Sequence, residues 1–253
     1  MDLALQDKAA LVTGGSRGLG RAVCLGLARE GAAVAINYRS GREQAEELVA
    51  EIRTAYGTPA VALQADVSHG ADVVSLFEQA ERRLGPLDVL VNNAGMWPTA
   101  YVKDITEEAW DRTMAVNLKG AFLTCREAVR RWLAGQRGGR IVNVSSSAAF
   151  IGSTTGHADY AASKAALVNF TVSLAREMAS HGIFVNAVAP GMMATDMARD
   201  ALETNLEHYL HRIPLGRIAD PAEIADVVLF LASERASYTT GATFDASGGL
   251  LMR

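Results

Sequence analysis

The sequence predicts an α/β protein built on a single doubly wound parallel sheet with helices on both faces. Short continuous apolar runs alternate with amphipathic runs along the chain, which is typical of parallel strands buried between two layers of helices. A glycine-rich turn joins the first apolar run to the first helical one, as in a βαβ unit. No linker, repeat or low-complexity tract interrupts the alternation, so we expect one domain over residues 1–253.

Each element is assigned from the spacing of its apolar residues and from the turn residues that bound it. Continuous apolar runs predict strands at 8–13, 32–37, 60–65, 87–91, 140–144, 183–188 and 243–245. Apolar residues at helical spacing predict helices at 19–30, 43–56, 71–84, 107–133, 160–178 and 222–232. The segment 191–212 has few strong core positions and is predicted to be a looser, mobile lid.

The composition argues against several classes of partner. Hydrophobic residues make up 49% of the chain and charged residues 21%, as in ordinary soluble proteins. A net charge of −4 gives no reason to expect a nucleic-acid or anionic-membrane surface. Cys24 and Cys125 have neither disulfide nor metal-ligand spacing, so we expect no metal site. The N-terminus lacks the features of a signal peptide, which predicts a cytoplasmic protein.

The glycine-rich turn after the first strand predicts a nucleotide site. Its glycines allow a sharp turn, close approach of a phosphate to the backbone and tight packing of helix on strand. The helix that follows offers free N–H groups and a positive dipole end to a pyrophosphate. The residues expected to contact a dinucleotide here are Gly14, Ser16, Arg17, Gly18, Leu19 and Gly20.

The end of the second strand predicts which dinucleotide is bound. Sites for NAD usually place an acidic residue there to accept hydrogen bonds from the ribose. This chain instead has Asn37, Tyr38, Arg39 and Ser40. Arg39, together with Arg17, would bind a 2′-phosphate, which favours NADP(H). The alternative is that both arginines are merely solvated.

Tyr160 and Lys164 are four residues apart at the start of a predicted helix and therefore share one face. A free tyrosine has a pKa of about 10, and a neighbouring ammonium group lowers that pKa toward the range useful for acid–base catalysis. The alternative is a coincidental surface pair.

With these motifs, the chain resembles the short-chain dehydrogenase/reductases of the TGxxxGxG…YxxxK kind along essentially its whole length. Further matching residues are Asp66 and Val67; Asn93, Ala94 and Gly95; Asn117; the run at 141–146; and Pro190, Gly191, Met193 and Thr195. The resemblance implies that Asp66 and its neighbour contact adenine, that Asn117 belongs to the active site, and that residues 190–195 meet the nicotinamide.

The resemblance leaves two serines open for the catalytic position. The family's serine usually lies thirteen residues before the tyrosine, which points to Ser147, whereas the strand motif points to Ser146. A one-residue insertion in the 153–156 loop would reconcile the two counts. We expect Ser146, because the strand is the rigid element that aims the side chain.

The implied mechanism is hydride transfer between a nicotinamide and a carbonyl carbon. Ser146 would hydrogen-bond the substrate oxygen, Tyr160 would donate a proton, and Lys164 would lower the tyrosine pKa and hold the nicotinamide ribose. Asn117 would hold a water that relays protons to Lys164. His157 and Asp159 flank the tyrosine; we interpret them as entrance-loop residues, with a catalytic triad as the alternative.

The chain is most similar to the 3-oxoacyl-[acyl-carrier-protein] reductases of this family. The resemblance implies a small-molecule or carrier-bound carbonyl substrate and a homotetramer. An acidic acyl carrier would bind a basic patch beside the active-site mouth, and the candidate residues are Arg126, Arg130, Arg131, Arg137 and Arg140. The alternative is that these arginines form a solvated helix end. Sugars, steroids, quinones and small ketones are alternative substrates, because the fold does not separate them. A catalytically silent NADP-binding scaffold is the alternative from another functional class.

Overall fold

Parallel strands form the centre of the computed structural model, which describes residues 2–153 and 155–252. In chain order they are β1 (Ala9–Val12), β2 (Ala33–Tyr38), β3 (Ala60–Gln64), β4 (Val89–Asn92), β5 (Gly139–Val144), β6 (Ile183–Pro190) and β7 (Thr243–Ala246). Within the described residues they make a seven-stranded sheet in the order β3-β2-β1-β4-β5-β6-β7. The order reverses between β1 and β4, which opens a crevice at the carboxyl ends of these strands.

Helices cover both faces of the sheet, as the apolar strands require. They are α1 (Gly18–Arg29), α2 (Arg42–Tyr56), α3 (Gly70–Leu84), α4 (Glu107–Met114), α5 (Gly120–Ala134), α6 (Ala148–Ile151), α7 (Ala158–Met178), α8 (Arg199–Arg212) and α9 (Pro221–Ala232). One hydrophobic core lies between the sheet and α1, α2 and α9, and a second lies between the sheet and α3, α5 and α7. The predicted fold class is confirmed.

Two segments differ from the predicted elements. The long helix predicted at 107–133 contains a π-helical turn, Ala115–Lys119, between α4 and α5. The segment predicted to be loose contains α8, although Asn205 has non-helical backbone angles within it. Among the described residues, no helix combines the length and apolar character that crossing a membrane requires.

Candidate active site

The glycine turn is held at the carboxyl ends of β1 and β2 by one buried amide. The side-chain oxygen of Asn37 accepts a hydrogen bond from the Gly14 N–H at 3.3 Å. Its side-chain nitrogen donates to the carbonyl oxygens of Leu63 and Ala65 near the end of β3. Asn37 therefore fixes the turn against two neighbouring strand ends and also lines the cleft above them.

Nearly all of the residues predicted to contact the cofactor line this cleft. Twenty of them line it: Gly14, Ser16, Arg17, Gly18, Leu19, Asn37, Tyr38, Arg39, Ser40, Asp66, Val67, Asn93, Ala94, Gly95, Tyr160, Lys164, Pro190, Gly191, Met193 and Thr195. The cleft runs from the glycine turn and the end of β2 to Tyr160 and Lys164, as a site for an extended dinucleotide must. These residues fit the predicted cofactor.

Gly20 is the exception, since it does not line the cleft. A Cβ atom at this position would lie 2.3 Å from the Gly14 carbonyl oxygen and 2.6 Å from the side-chain nitrogen of Asn93. Gly20 thus permits the close packing of α1 on the turn, and its predicted contact with the cofactor stays a prediction.

The end of the cleft next to β2 is electropositive. The first turn of α1 has no acidic residue and no side-chain cap, so its N–H groups are free for an anion. Neither Arg17 nor Arg39 forms a hydrogen bond or an ion pair through its guanidinium with any described residue. Burial raises the pKa of Asp66, but hydrogen bonds from Ser68 and the nearby charges, Arg39 among them, outweigh it and leave that pKa low.

Hydrogen bonds of Thr13 and Asn93 join the loop after β4 to the glycine turn. The hydroxyl oxygen of Thr13 accepts hydrogen bonds from the backbone N–H groups of Asn93 and Ala94, each at 3.0 Å. The Asn93 side chain returns two hydrogen bonds, to the carbonyl oxygens of Thr13 and Gly14. The two loops that form opposite walls of the cleft are therefore one rigid unit.

Asn117 lies in the π-helical turn and is only 1% exposed. Its side chain accepts from the Met96 N–H at 2.8 Å and donates to the Met96 carbonyl oxygen and to the Ser163 hydroxyl. A Cβ atom on Gly95 would lie 3.4 Å from the Asn117 side-chain oxygen and 3.6 Å from the Lys164 amine. Asn117 thus stands directly behind the cleft, on the side where Lys164 enters.

Tyr160 and Lys164 share one face of α7, as their spacing predicts. The Lys164 Nζ atom lies 5.7 Å from the centroid of the Tyr160 ring and donates a 2.7 Å hydrogen bond to the Val144 carbonyl oxygen. The Ser145 hydroxyl donates in turn to the carbonyl oxygen of Lys164. The end of β5 and the first turns of α7 are therefore tied together, and Tyr160 is held between them.

Of the two candidate serines, Ser146 and Ser147, it is Ser146 that lines the cleft. It lies within hydrogen-bonding reach of the tyrosine hydroxyl, and this contact lowers the Tyr160 pKa. Ser147 does not line the cleft; it is buried, and its N–H bonds the Pro190 carbonyl oxygen at 2.9 Å. The proposed insertion at 153–156 includes Thr154, which lies outside the described residues.

The electrostatics of the pair differ from the prediction. Burial raises the pKa of Tyr160 more than Ser146 lowers it, so the net shift is upward. Burial also lowers the pKa of Lys164 from 10.5 to about 8. The prediction that Lys164 depresses the tyrosine pKa is wrong, because the ammonium group binds the Val144 carbonyl and the phenol is buried.

His157 and Asp159 form no triad with the tyrosine and are not entrance residues. His157 is 4% exposed and its Nδ1 atom donates to the Pro98 carbonyl oxygen at 2.7 Å. Asp159 is 2% exposed and accepts a 2.7 Å hydrogen bond from the Thr113 hydroxyl on α4. Both side chains are buried supports of the loops around Tyr160, so both sequence interpretations of them are wrong.

Sequence reasoning missed several residues of the cleft wall. Those not predicted are Ala65, Met96, Arg112, Val116, Val144, Ser145 and Asp196. Arg112 and Val116 are one helical turn apart on the α4 side, a spacing that by itself does not distinguish a cleft wall from a core face. Met96 directly follows Gly95, so its position was available from the sequence.

Arg137 lies far from the cleft within the chain. It pairs with Asp88 at 2.7 Å, just before β4, and it precedes β5, whereas Ser146 follows β5. The six residues of β5 span about 20 Å, which separates the two edges of the sheet. The prediction that Arg137 borders the active-site mouth of its own chain is therefore wrong.

Comparison with known proteins agrees with this geometry. The family model described as Enoyl-(Acyl carrier protein) reductase matches residues 14–251. The chain is 45% identical over 246 residues to the 3-oxoacyl-[acyl-carrier-protein] reductase FabG of Staphylococcus aureus, covering 97% of this chain and 98% of the relative. It is 40% identical over 250 residues to the corresponding reductase of Aquifex aeolicus, covering 99% of this chain and 100% of the relative.

Solved structures give the same result. A short-chain type dehydrogenase/reductase from Mycobacterium marinum superposes with a TM-score of 0.95 at 32% identity, covering 100% of this chain and 98% of that one. A dehydrogenase/reductase from Sinorhizobium meliloti 1021 superposes with a TM-score of 0.91 at 38% identity, covering 98% and 97% of the two chains. The protein is an oxidoreductase with a site for a nicotinamide cofactor, and it belongs to the short-chain dehydrogenase/reductase family.

Proposed function

We propose that the protein reduces the 3-oxo group of a 3-oxoacyl thioester to a 3-hydroxyl group, with NADPH as the reductant. The observation that carries the proposal is that Ser146, Tyr160 and Lys164 line the same cleft as the glycine turn. A serine and a tyrosine hydroxyl within mutual reach form a two-point site for one carbonyl oxygen.

The protein's residues orient and polarise the carbonyl, and the hydride would come from NADPH when it is bound. The Ser146 hydroxyl donates a hydrogen bond to the substrate oxygen, and the Tyr160 hydroxyl gives its proton to that oxygen as the alcohol forms. Lys164 donates one N–H to the Val144 carbonyl oxygen, and its remaining N–H bonds would hold the nicotinamide ribose. Asn117 orders a water beside Lys164, and this water relays protons to Lys164.

Tyr160 is protonated at neutral pH, as a proton donor must be. Because burial raises the pKa of Tyr160 above its ordinary value of about 10, the phenol keeps its proton at neutral pH and is ready to donate it. Oxidation of an alcohol would require the phenolate instead. The cofactor-free protein is thus prepared to act as a general acid.

The electropositive end of the cleft supports NADPH as the cofactor. Arg17 and Arg39 have no ion-pair partner among the described residues, and both line the cleft beside the last residues of β2. A 2′-phosphate would give each guanidinium a charge-assisted partner. NAD(H) would leave both cations without one.

The named relatives support the thioester as substrate, because the similar proteins from Staphylococcus aureus and Aquifex aeolicus are 3-oxoacyl-[acyl-carrier-protein] reductases. The apolar wall formed by Met96, Met193 and Met197 suits an acyl chain. The segment at 191–212, which contains α8, acts as the lid over this wall. An acyl carrier protein is the proposed macromolecular partner.

We further propose that the chain assembles as a homotetramer in the cytoplasm. Phe122 of α5 is 41% exposed and packs edge-on against Phe170 of α7, which leaves an aromatic surface available to a second copy. Strand β7 ends the sheet and offers an open edge. Light scattering at micromolar concentration should give four times the chain mass of 26.8 kDa; a mass of one chain would contradict the proposal.

The proposed activity is tested by following NADPH oxidation with an acetoacetyl thioester, a crotonyl thioester, a sugar, a steroid ketone and a diketone. We expect turnover of the acetoacetyl thioester to exceed that of every other compound. The crotonyl thioester separates reduction of a carbonyl from reduction of a carbon–carbon double bond. Preferential turnover of the sugar, steroid or diketone would overturn the thioester assignment.

A further inference from the structure

The Tyr160 ring contacts an aromatic pair that the mechanism does not use. The Trp97 indole stacks on the His157 imidazole, with ring centroids 4.2 Å apart and an angle of 25° between the planes. The same indole meets the Tyr160 ring edge-on, at a centroid distance of 6.3 Å and an angle of 62°. Trp97 also follows Met96, which lines the cleft.

This pair is fixed in place at several points. The Nδ1 atom of His157 donates to the Pro98 carbonyl oxygen at 2.7 Å, which binds the imidazole to the residue after the indole. The Ala100 N–H donates to the Gly156 carbonyl oxygen at 2.7 Å, and Ala100 also forms an isolated parallel β-bridge with His157. The 97–100 segment is therefore tied to the loop before α7, and the stacked imidazole supports one face of the indole.

The position of the indole decides how much space a substrate has. When Ser146 and Tyr160 hold the carbonyl oxygen, the carbonyl carbon must face the nicotinamide, so its two substituents extend along the remaining walls. The substituent that bears the thioester and the acyl carrier must leave through the open mouth of the cleft. The other substituent, the acyl chain beyond the 3-oxo carbon, then passes Met96, which lines the cleft, and reaches the indole that lies behind it beside the Tyr160 ring.

We propose that Trp97, positioned by His157, is a specificity-determining residue that restricts the protein to short-chain 3-oxoacyl groups. The inference rests on the proposed function. A rigid indole does not rearrange to admit further methylene groups, and each methylene refused a place in an apolar pocket changes discrimination by about tenfold or more. Four-carbon 3-oxoacyl groups fit between the carbonyl site and the Trp97 indole, and eight-carbon groups do not.

The test compares kcat/KM with NADPH for 3-oxobutanoyl and 3-oxooctanoyl N-acetylcysteamine thioesters in the wild type, Trp97→Phe and Trp97→Ala. We expect the wild type to favour the four-carbon substrate by at least tenfold. Trp97→Ala should reduce this ratio by at least tenfold, mainly through a lower KM for the longer substrate, and Trp97→Phe should fall between the two. His157→Ala should shift the ratio in the same direction, since it frees the indole.

Tyr101→Ala is the matched control, because Tyr101 lies in the same segment but is 60% exposed. It should leave the ratio unchanged. A wild type that accepts both lengths equally, or a Trp97→Ala variant that loses activity equally on both, would overturn the proposal.

A binding measurement separates this proposal from the proposed function. If no thioester is turned over, the proposed function fails, and calorimetric titration of both thioesters into the NADP⁺ complexes of wild type and Trp97→Ala still measures the length preference. If the wild type binds the shorter thioester more tightly and Trp97→Ala abolishes this preference, the proposed role of Trp97 is supported. Equal affinities in the wild type refute it.

Discussion

The Nζ atom of Lys164 lies 2.7 Å from the carbonyl oxygen of Val144, the last residue of β5. This contact joins the helix that carries the tyrosine to the strand that leads to Ser146. It also satisfies one N–H bond of a side chain that is only 4% exposed. Lys164 is thus both a structural tie and the buried cation of the site, and its titration should be visible in stability and in rate.

The first prediction concerns stability. The pKa of Lys164 is 10.5 in the unfolded chain and about 8 in the folded chain. Below pH 8 both states carry the charge, and burying it in the folded state costs free energy. Between about pH 8 and 10.5 only the unfolded state still binds the proton, so this cost disappears as pH rises through that range. We expect the free energy of unfolding of cofactor-free wild type, relative to Lys164→Met, to rise between about pH 7 and 10. Urea unfolding at both pH values measures this difference. A difference that stays constant would contradict the lowered pKa.

The second prediction concerns rate. The kcat/KM for NADPH reports groups that titrate in the free enzyme, so it should fall on the alkaline side with an apparent pKa near 8 as Lys164 loses its charge. The Tyr160 proton is not lost in this range, because the pKa of that phenol is raised. A profile that stays flat to about pH 10 would show that the ammonium charge is not needed.

Much of this site could be predicted from the sequence because its geometry is local. Tyr160 and Lys164 are one helical turn apart wherever the helix forms, and parallel strands bring their carboxyl ends to one edge. The placement of Arg137 failed for an avoidable reason. It precedes β5, so strand direction alone puts it at the opposite edge from Ser146.

Other features depend on contacts that no local pattern contains. The stack of Trp97 on His157 joins residues 60 positions apart, through loops whose conformations the sequence does not determine. The π-helical turn at Asn117 lies inside a run with ordinary helical periodicity. The direction of the Tyr160 pKa shift depends on burial and on where the Lys164 ammonium group points, and both require coordinates.

The third prediction concerns cofactor choice. We expect kcat/KM to favour NADPH over NADH by at least tenfold, because each charge-assisted contact to a 2′-phosphate contributes about 1.5–3 kcal/mol. Arg39→Ala should reduce that ratio by about tenfold without changing kcat/KM for NADH. Arg42→Ala is the control, since Arg42 does not line the cleft and pairs with Glu46 at 2.8 Å. Equal use of both cofactors by the wild type would refute the phosphate site.

The fourth prediction concerns the packing of the glycine turn. Gly20→Ala would bring a Cβ atom to 2.3 Å from the Gly14 carbonyl oxygen, so α1 must shift. We expect a loss of about 1–3 kcal/mol in the free energy of unfolding, together with weaker NADPH binding. Gly70→Ala is the control, because its Cβ would meet only side-chain atoms at 3.8 Å at the start of α3. Unchanged stability of Gly20→Ala would show that the turn adapts.

The choice between the two serines is open to a direct comparison. Ser146→Ala removes a hydroxyl that faces the cleft, whereas Ser147→Ala removes one that is buried away from it. We expect the first variant to lose kcat by about 10²-fold or more and the second to stay within a few-fold of wild type. The reverse order would assign the carbonyl contact to Ser147.

The central claim is that the Tyr160 hydroxyl protonates a 3-oxoacyl carbonyl during NADPH-dependent reduction. Tyr160→Phe keeps the aromatic ring against Trp97 and removes only the proton donor. The decisive measurement is kcat of this variant with acetoacetyl thioester, alongside its NADPH dissociation constant from fluorescence titration. The account predicts a loss of about 10²–10⁴-fold in kcat with NADPH affinity within a few-fold of wild type. Turnover within tenfold of wild type at normal NADPH affinity would contradict it.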